Sequence, residues 1–156
     1  MIVIIIVECN PDELLVRLLG VTKIKHGGGK GKVLKKVRDN PGSIGIIDED
    51  TDNNQPKERT EYFEQESVAK VRLLVNKHDE SKKIIQISPR LEEWILNRAR
   101  QNRINPMDFG LPNDPNELHS PHIERMTNFR EFMKKLTEKD DEEMYHLKKW
   151  LKNADK

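Results

Sequence analysis

The apolar positions of this chain fall into dense runs separated by charged stretches, and the runs change period along the sequence. Ile2–Val7 is six consecutive β-branched residues, closed by Glu8, Asn10 and Pro11. A continuous run of this type suits a strand covered on both faces, as in a parallel sheet. Pro11-Asp12-Glu13 then opens a helix. Asn10 is the expected N-cap, Leu14, Leu15, Leu18 and Leu19 supply the apolar face, and Gly20 is the stop. Val21–Lys25 reads as a short strand, and Val33, Leu34 and Val37 space a second helix that ends near Asn40-Pro41-Gly42. Ile44–Ile47 is the next strand and runs directly into acid residues. After a charged segment to about Ala69, Val71–Asn76 and Lys83–Ile87 read as two strands. Four turn-like residues, too few for a crossover helix, join them into a hairpin.

From Ser88 the pattern becomes helical. Ser88-Pro89 is expected to start a helix carrying Leu91, Trp94, Ile95 and Leu96. Asn105–Ser120 reads as a loop, and Pro121–Leu136 and Thr137–Leu151 as two more helices. The order β-α-β-α-β, then β-β, then helices, predicts an α/β fold with a mostly parallel central sheet flanked by helices. The expected organisation is an α/β core over residues 1–100 and a helical C-terminal extension over 101–156 that packs on it.

Composition adds boundaries. A chain of 156 residues suits one domain, and no apolar run approaches the length of a membrane span. The single cysteine, Cys9, excludes an intrachain disulfide framework and points to a cytoplasmic setting. The net charge is only +1, from 28 basic and 27 acidic residues, but the signs are segregated. Lys23–Arg38 holds seven basic residues and no acid, whereas Asp48–Asp52 holds four acids in five positions. Segregation of this kind points to a site.

In open parallel sheets ligands bind beyond the carboxyl ends of the strands. Glu8 ends the first strand and Asp48 a later one, so both are expected at one sheet edge. With Asp50, and with Asp52 from the same loop, they make a set of hard oxygen ligands suited to Mg²⁺ or Mn²⁺. Glu92, in the first turn of the helix after Lys83–Ile87, is a further candidate ligand. The stretch His26-Gly27-Gly28-Gly29-Lys30-Gly31-Lys32 offers backbone amides, a helix N-terminus and two ammonium groups to a phosphate, though it lacks the P-loop spacing.

Ile4-Ile5-Ile6-Val7-Glu8, followed by Ile44-Gly45-Ile46-Ile47-Asp48-Glu49-Asp50, resembles the Toprim domain of topoisomerases, bacterial primases, recombination proteins and the nucleases of OLD-type defence systems. The resemblance covers about residues 1–100, with Cys9 where a glycine usually follows the glutamate. It implies a compact α/β fold, Mg²⁺ held by Asp48 and Asp50, and Glu8 as general acid or base. The absence of helicase, ATPase or tyrosine-nucleophile modules makes the chain look like the small stand-alone, nuclease-like members. These act on DNA or RNA beside an ATPase partner. A homodimer is a further expectation for a small polar chain of short helices. The alternative expectation is a non-catalytic regulatory subunit, Toprim-like or similar to response-regulator receivers, docking through its C-terminal helices. Receivers carry a lysine after the last strand, where this chain has Ser88-Pro89-Arg90.

Overall fold

The computed structural model describes residues 3–50 and 55–153. It is an α/β structure whose six strands form one sheet. The strands are β1 (Ile5–Val7), β2 (Ile24–His26), β3 (Ile44–Asp48), β4 (Tyr62–Val68), β5 (Val71–Asn76) and β6 (Lys83–Ile87), in the order β2-β1-β3-β6-β5-β4. Four strands, β2, β1, β3 and β6, are mutually parallel, and β5 and β4 continue the sheet antiparallel.

Strand alternation divides the core between two faces. Ile5, Val7, Ile44, Ile46, Ile85 and Ile87 face one side. They pack against α1 (Asn10–Leu18), α3 (Leu91–Gln101), α5 (Thr127–Glu138) and α6 (Glu142–Asn153). Ile6, Ile47, Leu74 and Ile84 face the other side, against Val33, Leu34 and Val37 of α2 (Lys30–Asp39). The C-terminal helices share the first cluster: Phe129, Phe132, Met144 and Trp150 are buried in it with Ile5 and Leu15. Two glycines let α2 lie close to the sheet. A Cβ on Gly45 would come within 2.8 Å of Ile84 Cδ1 and Val33 Cγ1, and one on Gly27 within 2.6 Å of Val33 Cγ2. Gly27, expected in a phosphate loop, is thus a packing residue.

Several boundaries differ from the sequence expectation. The charged segment before Ala69 contains β4, whose Glu64 is exposed. It is an edge strand, where charge suits an unpaired rim and hides the alternation. Cys9, not Asn10, is the N-cap of α1. Helix α3 starts at Leu91, three residues after Ser88. A short 3₁₀ turn at Ile123–Arg125 precedes α5, which begins at Thr127. Thr137 lies inside α5, its hydroxyl donating to the Lys134 carbonyl at 3.0 Å, while Asp141 accepts from the Met144 amide at 2.9 Å and caps α6. The expected 105–120 loop contains a 3₁₀ turn at Pro106–Phe109 and the single-turn α4 (Pro115–Leu118). No described helix is long and apolar enough to cross a membrane.

Candidate functional site

Because β1, β3 and β6 are parallel, their carboxyl ends open on the same edge, and the loops after them carry Glu8, Asp48 to Asp50, and the start of α3. The pairing of Val7 with Ile46 sets the two strand ends side by side. The Asp48 amide donates to Glu8 Oε2 at 2.8 Å, and Asp48 Oδ1 accepts from the Leu91 amide at 3.1 Å. Asp48 therefore ties the end of β3 to the first turn of α3. Helix α3 in turn brings Glu92 to the same edge, buried at 7 % exposure. Its Oε1 accepts from His119 Nδ1 at 2.7 Å.

A fourth acid comes from α1. Asp12 Oδ2 accepts from the Cys9 amide at 3.3 Å and from the Cys9 thiol at 3.2 Å, closing the first turn as a capping box. Asp12 Oδ1 is buried with no hydrogen-bond partner among the described residues. Sequence reasoning placed Asp12 only as a helix-opening acid. The missed signal was its spacing of four residues from Glu8, with the helix starting one residue earlier than expected.

The electrostatics of this edge are one-sided. Burial, followed by the charges of Asp12, Glu8 and Glu92, pushes the Asp48 carboxyl up to about 9. Burial and the Glu8 charge push Asp12 up to about 7. Burial also raises Glu8, against the opposing pull of the Asp48 amide and Lys30, while Asp50 and Glu92 raise it further. Desolvation and like charge act in the same direction, disfavouring ionisation of all three. Cys9 is held as a thiol, pushed far up by burial and by Asp12, which rules out a ready thiolate nucleophile.

Asp50 has a left-handed backbone, φ 48°, which ends the extended run after β3, and its charge reaches Glu8 and Arg90. Between the two aspartates, Glu49 turns to the opposite face of the sheet. There its Oε2 accepts from Arg72 Nη1 at 3.2 Å and Gln86 Nε2 at 3.3 Å. The Glu49 carbonyl accepts from Lys30 Nζ at 2.5 Å and Gln55 Nε2 at 2.8 Å. The Glu49 and Asp50 amides donate to the Ile87 and Pro89 carbonyls at 2.8 Å each. The acid loop is thus held by its backbone on both sides.

Of the other sequence candidates, Lys30 reaches the acid edge, where it clamps Glu49 and Gln55. His26 pairs with Glu13 on α1, and Lys32 is exposed at the start of α2. The remaining basic residues of 23–38 are exposed too, Arg38 pairing with Glu58 at 2.7 Å. Asp52 lies outside the described residues. Among the described residues, no three acid, histidine or cysteine side chains stand ready to hold a metal ion. The chemistry of the donor set nevertheless suits a hard cation: buried and half-buried carboxylates that raise one another's pKa, and an orphaned Asp12 oxygen.

No family model matches this chain, and no curated protein or solved structure matches it.

Proposed function

We propose that this chain is a Toprim-like, Mg²⁺- or Mn²⁺-dependent protein that cleaves phosphodiester bonds in DNA or RNA. The observation that carries this reading is the group of buried and half-buried carboxylates Glu8, Asp12, Asp48 and Glu92 at one sheet edge, where burial and like charge raise the first three against the pull of Lys30 on Glu8. Glu8, Asp48 and Asp50 would hold the cation, with Asp12 and Glu92 beside them. Bound there, it would polarise a phosphoryl oxygen and offset the charge that develops on it. Glu8, in its ionised form, would take the proton from the attacking water, a role suited to a carboxyl whose pKa burial has raised. Lys30 and Lys32 would attract the backbone phosphates, and the exposed basic face of β2 and α2 would extend that attraction. The resemblance supports action beside an ATPase partner in a cytoplasmic defence or repair system.

The apolar faces of 123–136 and 144–151, which motivated a docking subunit, are largely spent on the protein's own core through Phe129, Phe132, Met144 and Trp150. That leaves the enzyme reading with the better support. The test is calorimetric titration of Mg²⁺ and Mn²⁺ into the wild type and the Asp48→Ala/Asp50→Ala variant, followed by plasmid and RNA nicking. Cation binding and nicking that both disappear in a folded variant support the reading. Undiminished nicking by that variant overturns it.

A further inference from the structure

Beside the acid edge, between the start of α1 and the 119–124 segment, lies a cavity of about 310 Å³. It shares Glu92 and Cys9 with the acid edge. Its apolar walls are the rings of Pro11 and Pro121 and the side chain of Ile123, and the imidazoles of His119 and His122 complete it.

Each carboxylate of this cavity has an imidazole against it. Glu92 holds His119 at 2.7 Å, and Glu124 faces His122 at 3.8 Å. No lysine or arginine stands among the described residues that line it. A phosphate here would meet two carboxylates and no fixed cation, so the cavity disfavours an anion. What it offers is apolar surface from Pro11, Pro121 and Ile123 together with two imidazoles. Those are the features that recognise an unstacked heteroaromatic ring. A second feature concerns the backbone. His122 has φ 60°, in the left-handed region that disfavours residues bearing a Cβ. A histidine kept at such a position, among the residues that line a cavity, fits a side chain held for binding.

We propose that this cavity seats a nucleobase of the nucleotide whose phosphate the acid edge handles, so that the chain takes nucleic acid with an unpaired base. This rests on the phosphodiester-cleaving reading above. The shared Glu92 places base and phosphate sites side by side, and the division of labour is chemical: charge at the strand ends, ring surface at the 119–124 segment.

The experiment compares binding of a single-stranded oligonucleotide with that of an abasic strand carrying the same number of phosphates. Nucleoside titrations, read by the imidazole NMR signals of His119 and His122, locate the contact. The expected result is about tenfold tighter binding of the strand with bases, in the range stacking on side-chain rings provides, together with movement of both imidazole signals by adenosine or cytidine and not by ribose 5-phosphate. His122→Asn, which keeps a residue tolerant of the left-handed backbone and removes the ring, should lose most of that preference. Its fold is checked by circular dichroism, and His119→Ala serves as the second variant. Equal binding of the abasic strand, or a base preference that leaves both imidazole signals unmoved, overturns the proposal. If base-dependent binding at the two histidines occurs without any metal-dependent cleavage, the cleavage reading fails and the base site stands. If an abasic strand is bound and cleaved as readily as the normal one, the base site fails and the cleavage reading stands.

Discussion

Glu143, near the start of α6, is as deeply buried as Asp12 in the first turn of α1, at 3 % and 2 % exposure, yet the two live in opposite surroundings. Glu143 Oε1 accepts from Trp94 Nε1 at 3.2 Å and from the Lys70 amide at 2.9 Å, and its other oxygen pairs with Arg98. Arg98 also reaches Asp141 at 3.2 Å, and Asn102 donates to that same aspartate at 2.6 Å. The Asp12 carboxylate has Cys9 on one oxygen, no partner on the other, and Glu8 and Glu92 as charged neighbours. A buried carboxylate is tolerated when it is paired and hydrogen-bonded, and costs stability when it is not. One fold therefore contains both solutions. The Arg98 cluster pairs its charges, leaving only Arg98 Nε without a partner among its members, and joins α3 to α6, whereas at the strand ends burial and like charge disfavour ionisation of Glu8, Asp12 and Asp48. Natural proteins break their own packing rules mainly where function requires it.

The largest expected effect falls on the charge-paired cluster around Arg98. Glu143→Ala leaves Arg98 buried beside a lost partner and should destabilise the protein by about 3–5 kcal/mol. Chemical denaturation would show it, and a loss below about 1 kcal/mol would erase the contrast between the two clusters. Asp48→Asn should act in the opposite sense. It removes the cost of protonating this carboxyl on folding while keeping an oxygen for the Leu91 amide, so without divalent cation the variant should be more stable than wild type by about 1 kcal/mol. Its cleavage should fall about 100-fold or more. A variant that is both less stable and fully active contradicts the functional assignment of this edge.

The pH dependence is a smaller and more specific signature. Asp12 and Asp48 keep their protons up to about 7 and about 9 in the folded state, against about 3.9 for an unfolded aspartate. Folding therefore binds protons, and the stability tied to these groups is complete below the unfolded value and lost as pH rises through the folded ones. In the absence of divalent cation, the stability gap by which Asp48→Asn exceeds wild type should widen from pH 5 to pH 9. Mg²⁺ should narrow it at the alkaline end. A gap that is constant with pH would mean that Asp48 is ionised throughout. The smallest effect is at the basic face: Lys32→Ala should weaken nucleic-acid binding slightly and lower the slope of log affinity against log salt by about one. An unchanged slope would remove Lys32 from the interface.

How much of this was legible beforehand differs from element to element. The β-branched run ending in Glu8 and the Ile44–Ile47 run ending in Asp48 announce two buried strands, because only strands covered on both faces tolerate such runs. The β5–β6 hairpin follows from a linker too short to cross over. Strand β4 was hidden because an edge strand carries charge for its own reasons. Helix starts were displaced where proline and threonine were read as openers, while the caps in use were Cys9 for α1 and Asp141 for α6. Within the site, Glu8, Asp48 and Glu92 were nameable from strand ends and a helix start. His119 was not, because it reaches Glu92 across 27 residues of sequence.

By itself, the sequence determined which acids end the apolar strands, and thereby which end of a parallel sheet bears charge, since side-chain period and strand direction are local properties. Only the tertiary structure decided which acids are neutralised. Arg98 lies five residues past Glu93 on the same helix, yet it turns to Asp141 and Glu143 of the C-terminal segment and not to the strand ends. Charge compensation depends on distances between segments far apart in the chain and on the loss of water around them, and neither is written in the order of residues.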